Sequence, residues 1–233
     1  MSNDWNNLAP SAKMYRVLVH AAKTGASEAG FQLTRKPGRG LSNVWDVTKD
    51  GSTMAASIRT TRDRWFAFPP LNGGKKWKTL DDVDLVIVAA VNNKENPTKA
   101  EVYLFNAQEV RERFDAAYKA RAAAGQILKD NFGMWVALDD PNRGLPADTG
   151  SGLAKKYKPI ATYDIADLMS DPTNIGIENA EIDTAEIDET SAAEVLAPQL
   201  NTIAEVMAWA RDRVAQLAGV SIDAVKLDLK VQY

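Results

Sequence analysis

Hydrophobic positions along this chain recur first at spacings of three and four, then at two, and each change of period marks an element. In residues 11–29, Met14, Val17, Leu18 and Ala21 form one face of a helix. Ser11, following Pro10, is its expected N-cap, and Gly25 and Gly30 leave its far end open. A basic loop, residues 35–40, leads to two β-prone runs, residues 44–49 and 53–60. They flank Asp50-Gly51, a favoured two-residue hairpin turn. Residues 65–68 predict a short aromatic strand, closed by Pro69-Pro70 and followed by a Gly/Lys loop over 71–78. Residues 85–91 are continuously apolar, the pattern of a central strand buried on both faces. A strand over 101–105, a helix over 106–124 with Val110, Phe114, Ala117 and Tyr118 on one face, and a short strand over 134–138 follow. This order predicts an α/β or α+β core with a mixed sheet.

Charge divides the chain further. Residues 1–163 carry 24 Lys+Arg against 17 Asp+Glu, a balance of +7, whereas residues 164–194 carry 10 acidic residues and no basic ones. A basic body beside an acidic segment suits polyanion binding or an ordinary solvated tether. The expected organisation is a core over 1–163, an acidic linker over 164–196 and a small unit over 197–233. In that unit a helix over 201–217 precedes an alternating strand over 225–233, a pair too small to fold alone, so it docks on the core, pairs with a second copy or holds a protein partner. The absence of cysteine excludes disulfides, thiolate metal sites and cysteine nucleophiles. No apolar run approaches the roughly 20 residues of a membrane span, and the N-terminus lacks a secretory layout, so a cytoplasmic protein without membrane contact is expected.

The hairpin carries the candidate chemistry. With Asp50-Gly51 as the turn, Lys49 lies opposite Ser52, Asp46 opposite Ala55 and Val44 opposite Ser57. Alternation then gathers Asp46, Ala55, Ser57 and Arg59 on one face, with Trp45, Val47, Met54, Ala56 and Ile58 on the other. A salt bridge between Asp46 and Arg59 would be the plain structural use of that face.

The succession of an N-terminal helix, Val44-Trp45-Asp46-Val47, a Gly turn, Ala56-Ser57-Ile58-Arg59-Thr60-Thr61, Trp65-Phe66-Ala67-Phe68, a buried strand and Glu101-Val102-Tyr103-Leu104-Phe105 leading into a helix resembles the bacterial PD-(D/E)XK, or restriction-endonuclease-like, nucleases over residues 13–114. The resemblance implies a mixed central sheet flanked by helices. It also implies an Asp and a Glu that hold Mg²⁺ and a Lys beside the attacking water. Asp46 matches the first acid and would be the metal ligand, while Ser57 stands where the second acid belongs and Arg59 where the Lys belongs. A serine hydroxyl is a neutral, weak ligand for a hard cation. Arginine keeps its proton and binds phosphate instead of activating water. Glu28, or Glu101, could supply a replacement acid.

Basic residues interleave with aromatics nearby. Arg59, Arg62 and Arg64 precede Trp65, and Lys75, Lys76 and Lys78 surround Trp77, a composition suited to phosphate contact and base stacking. With Arg35, Lys36 and Arg39 they form the expected nucleic-acid surface. The glycines of residues 150–156 do not have Walker spacing and predict a turn, and the lone His20 has no second ligand for a metal. Three functions remain open. One is a DNA-binding, nuclease-like protein with weak or absent Mg²⁺-dependent cleavage, serving DNA processing or defence. Another is a protein-interaction or oligomerisation module on a nuclease-derived scaffold. The last is an active nuclease with a recruited acid.

Overall fold

The computed structural model describes Trp5, residues 8–36 and 44–170, and, from the C-terminal part, Ile203, Met207, Ala208, Ala210, Arg211, Val214, Ala215 and residues 225–227. Helix α1 spans Pro10–Glu28. It begins one residue before the expected cap: Pro10 occupies the first helical turn, where its missing N–H costs nothing, and Ser11 lies inside the helix. The helix runs through Gly25 because the sheet comes that close; a Cβ there would meet the Ala161 Cβ at 3.0 Å and Val102 at 3.3 Å.

Strands β1 (Gln32–Arg35), β2 (Val44–Lys49) and β3 (Ser52–Thr61) follow. Asp50 and Gly51 both adopt positive φ, 50° and 76°, as the mirror-image two-residue turn requires. The β2–β3 register is the expected one, with Asp46 opposite Ala55 and Val44 opposite Ser57. Next come β4 (Trp65–Phe68), a small hairpin of β5 (Pro70–Leu71) and β6 (Lys76–Trp77), and the central β7 (Leu85–Val91). Strand β8 (Lys99–Asn106) enters α2 (Ala107–Ala123), whose N-cap Asn106 accepts a hydrogen bond from the Gln108 amide. Strand β9 (Met134–Ala137), the short α3 (Leu153–Lys156), β10 (Ala161–Asp164) and α4 (Ile165–Ser170) complete the body.

The result is a mixed α/β architecture around a six-stranded mixed sheet, ordered β1-β2-β3-β7-β8-β10. Only β3 and β7 pair in parallel; every other neighbour is antiparallel. One face of the sheet packs on α1, where Leu18, Ala21, Ala22 and Ala26 meet Val47, Ala56, Ile58, Ile87 and Val102. The other face, with Val86, Val88, Ala90, Tyr103 and Phe105, is covered by α2, the β4–β9 ribbon and the 69–80 segment. Phe114 is the hub of that second core: its ring lies 5.6 Å from Phe66, 5.4 Å from Phe68 and 5.2 Å from Trp77, all in edge-to-face contact.

Several boundaries depart from expectation. The core does not stop at residue 163: β10 ends at Asp164, and α4 buries Ile165 while Leu168 and Met169 pack on the α1 layer. The acidic composition of 164–170 hid these few apolar anchors. Strand β1 extends through Arg35, so the expected basic loop begins as the sheet's edge. In the C-terminal unit, Ile203, Met207, Ala208, Ala210, Arg211, Val214 and Ala215 are helical. Residues 225–227 are not strand; Arg211 Nε instead donates to the Val225 carbonyl at 3.1 Å. The remainder of the expected linker and terminal strand lies outside the described residues.

Replacing Phe114 by alanine is expected to cost about 3–5 kcal/mol, the range for a fully buried aromatic. Urea unfolding would show this as a lowered midpoint with an unchanged slope; a shift under ~1 kcal/mol would contradict the central position of this ring.

Candidate functional site

The hairpin delivers Asp46, Ala55, Ser57 and Arg59 to one face, but packing then separates them. Asp46 lies near the sheet edge, its side chain 40% exposed. Its carboxylate pairs with Lys36 at 3.8 Å, and not with Arg59. Ser57, flanked by β2 and β7 and covered from above, has no exposure, and its Oγ has no hydrogen-bond partner among the described residues. Arg59 is only 4% exposed. Its guanidinium stacks over the Phe68 ring at 4.5 Å, and Nη1 donates to the Ile58 carbonyl at 3.3 Å. A guanidinium held there is not offered to a phosphate in solvent.

The candidate replacement acids go elsewhere. Glu28 ends α1, which packs on the opposite face of the sheet, and accepts a 2.7 Å hydrogen bond from the Tyr163 hydroxyl. Glu101 accepts from Tyr103 at 2.7 Å and from Arg64 at 2.8 Å. The carboxylate that approaches the Asp46 row is Asp84, which the sequence did not single out. Its Oδ2 accepts the Ala55 amide at 2.9 Å, while its own amide donates back to the Ala55 carbonyl at 2.8 Å. It thereby pins the start of the parallel β3–β7 pair. No group of three His, Asp or Glu side chains among the described residues could hold a metal ion. With a lysine on Asp46, a hydroxyl at 57 and a buried cation at 59, this donor set does not fit Mg²⁺, which demands several oxygen ligands at close to octahedral geometry.

The expected phosphate-binding cations divide into two sets. Arg35, Lys36, Arg62, Lys75, Lys76 and Lys78 are exposed. Arg64 turns inward from a positive φ of 65°. It bonds Asp139 at 2.6 and 3.1 Å, Glu101 at 2.8 Å, the Val91 carbonyl at 2.8 Å and the Tyr103 hydroxyl at 3.2 Å. Burial opposes its charge, but the hydrogen bonds to Asp139, Tyr103 and Glu101 outweigh it and raise its pKa above the ordinary arginine value. Arg64 is therefore a tie between β4, β7 and β8, not a surface contact. Arg39 lies outside the described residues. Trp77 is likewise core: it is 1% exposed, and its Nε1 donates to Asp115 at 2.8 Å. The lysines flanking Trp77 are carried by the 69–80 segment that covers the second core.

One further concavity, about 530 Å³, lies at the start of α2 among Asn106, Glu109, Arg113, Gly150 and Lys156. Its charges are internally matched. Glu109 accepts from Lys156 at 2.9 Å and from the Tyr157 hydroxyl, and Arg113 donates to the Gly150 and Ser151 carbonyls. The 150–152 glycines thus form a built turn: a Cβ on Gly150 would come within 2.4 Å of the Arg113 carbonyl oxygen.

These features define a mixed α/β domain in which Asp46, Ser57 and Arg59 do not form a shared accessible site. Compared with protein-family models, with curated proteins and with solved structures, the chain gives no match. Among the described residues, no helix is long and apolar enough to cross a membrane.

The Glu28–Tyr163 bond predicts an alkaline signature. Burial and the neighbouring Glu28 carboxylate both disfavour the phenolate, so the Tyr163 pKa is raised in the folded chain. Above the ordinary tyrosine value near ~10 the unfolded chain releases a proton that the folded chain keeps, so stability falls as pH rises. Tyr163→Phe should flatten that fall in urea unfolding measured between about pH 9 and 11. An unchanged pH slope in the variant would show that the contact does not carry it.

Proposed function

We propose that this chain binds nucleic acid, DNA in the first instance, on a restriction-endonuclease-like scaffold, and does not hydrolyse it. The observation that carries the reading is the division of its cations. Lys36, beside Asp46, and Lys75, Lys76 and Lys78, on the segment whose Trp77 packs over the sheet, are exposed, as are Arg35 and Arg62, whereas Arg59 and Ser57 are buried. Binding phosphate needs the first set; cutting a phosphodiester in the manner of that family needs acids and a lysine at positions 46, 57 and 59 that solvent, metal and substrate can reach. The Lys36–Asp46 pair supports the same reading, because a lysine stands 3.8 Å from the one acid that matches the family. The +7 balance of residues 1–163 supplies a field that attracts a polyanion, and the lack of cysteine suits a reducing compartment such as the cytoplasm.

A second reading, association through the C-terminal unit with another copy or a protein partner, is favoured by the exposure of two large apolar side chains on its helix, Ile203 (66%) and Val214 (39%). Light scattering across a concentration series would detect such self-association.

The primary reading predicts duplex binding that weakens steeply with salt, as counterion release requires. Changing Lys75, Lys76 and Lys78 together to alanine should weaken binding and reduce the slope of log K against log salt by about 2–3, close to one per lost phosphate contact. Plasmid DNA incubated with Mg²⁺ or Mn²⁺ should remain intact. Salt-independent binding would remove the nucleic-acid part of the reading, and cleavage lost in Asp46→Ala would overturn the inactive part.

A further inference from the structure

The β4–β9 ribbon has two faces with different fates. Phe66, Phe68, Met134 and Val136 point into the core. The register pairs Trp65 with Ala137 and Ala67 with Trp135, so the two tryptophans are diagonal neighbours on the outer face. Both tryptophans are partly exposed. Phe132, at the end of the turn whose amide bonds the Lys129 carbonyl, is 47% exposed and sits edge-on to Trp135 with ring centres 5.8 Å apart. Single exposed apolar residues are common; here three aromatic side chains, one exposed and two partly exposed, lie on or beside one ribbon face, with Phe132 and Trp135 in ring contact.

This row is held rigidly. Gly133 has no side chain because the Trp135 indole lies on it; a Cβ there would come within 2.5 Å of the ring. The buried Arg121 donates to the Trp135 carbonyl at 2.7 Å and to the Ala147 carbonyl at 3.2 Å, fixing the strand behind the ring. The loop carrying Phe132 is tied to the lysine-bearing loop by Gly73 N–H to Asp130 at 2.9 Å and Asn131 N–H to the Pro70 carbonyl at 2.9 Å.

Cations frame the aromatics. The Arg143 guanidinium lies 5.7 Å over the Trp65 ring, and Lys129, Lys75 and Lys76 are exposed on the two tied loops. The nearby acids are engaged: Asp130 by Gly73, Asp148 by Arg143, Asp139 by Arg64 and Asp140 by Lys155. Flat π-surfaces beside the exposed Lys75, Lys76 and Lys129 fit a partner that presents π-faces and a negative backbone together. An intact duplex hides its base faces within the stack; a single strand offers them.

We propose that the outer face of the β4–β9 ribbon is a stacking platform for unpaired bases, with Trp65, Trp135 and Phe132 receiving the bases and Lys75, Lys76 and Lys129 the phosphates. The proposal rests on the nucleic-acid reading above and narrows it to single-stranded segments at this surface.

The test compares a short labelled oligothymidylate, a duplex of equal length and vesicles of phosphatidylserine with phosphatidylcholine. The full-length chain and its F132A, F132W, W65F and W135F variants are used. The oligothymidylate should bind and quench tryptophan fluorescence, with a smaller quench in W65F and W135F. F132A should weaken that binding about fivefold or more, the effect of losing one base–aromatic stack, while F132W restores it. Because Phe132 is exposed, F132A is expected to unfold at the same temperature as the parent chain. Unquenched binding of the oligothymidylate, equally tight in F132A, would overturn the platform and leave nucleic-acid binding standing. Failure of both oligothymidylate and duplex to bind would overturn both proposals. Phe132-dependent binding to vesicles without oligothymidylate binding would assign this surface to anionic lipid instead and overturn the platform.

Discussion

The parallel pairing of β3 with β7 is the constraint on which the rest of this structure depends. Antiparallel neighbours can be joined by a two-residue turn, as β2 and β3 are, but a parallel neighbour requires the chain to return to the starting end of the sheet. Here the return occupies residues 62–84, and it is not a passive link. It contains β4, the β5–β6 hairpin and the Trp77 anchor, and these form much of the layer over one face of the sheet. The same crossover buries Ser57 and Arg59 from one side and displays Trp65 on the other. Burial of the hairpin's polar row and the outward placing of Trp65 on the ribbon are two outcomes of one topological requirement.

Much of the sheet was legible in the sequence because its signals are local. Asp50-Gly51 fixes the β2–β3 register through backbone conformation alone, and the apolar run of β7 announces burial on both faces without reference to its neighbours. The elements that escaped lack a local signature. Strand β1 is four largely exposed residues at a sheet edge, and β10 and α4 carry acidic side chains around a few apolar contacts to α1. Their order comes from tertiary packing, which periodicity does not register. Gly25, which looked like a place for the helix to stop, is instead where the helix passes close to the sheet.

The chemistry was legible in direction but not in depth. Alternation places Asp46, Ser57 and Arg59 on one face, yet a face has an edge and an interior, and alternation does not distinguish them. Whether Arg59 meets solvent or Phe68 depends on a chain segment that returns over it. The same limit explains Arg64 and Trp77, whose basic and aromatic neighbours in sequence suggested a surface while their own side chains close internal networks. Trp135 and Phe132 were invisible for the converse reason. They lie some seventy residues from Trp65 in sequence; the β4–β9 register sets Trp135 diagonal to it, and Phe132 packs on Trp135.

The seat of Arg59 on Phe68 also bears on what this scaffold could become. Writing a glutamate at 57 and a lysine at 59 would spell the letters of a nuclease motif with two substitutions. Both new groups would lie in an interior where an unpaired charge costs several kcal/mol and gives up its ionisation before it gives up its burial. A buried acid in that state is a poor ligand, and a buried amine a neutral one. Any path from this chain to hydrolysis must first open the crossover above β3, so the step is limited by the packing of Phe68 and its neighbours and not by the number of codons to be changed.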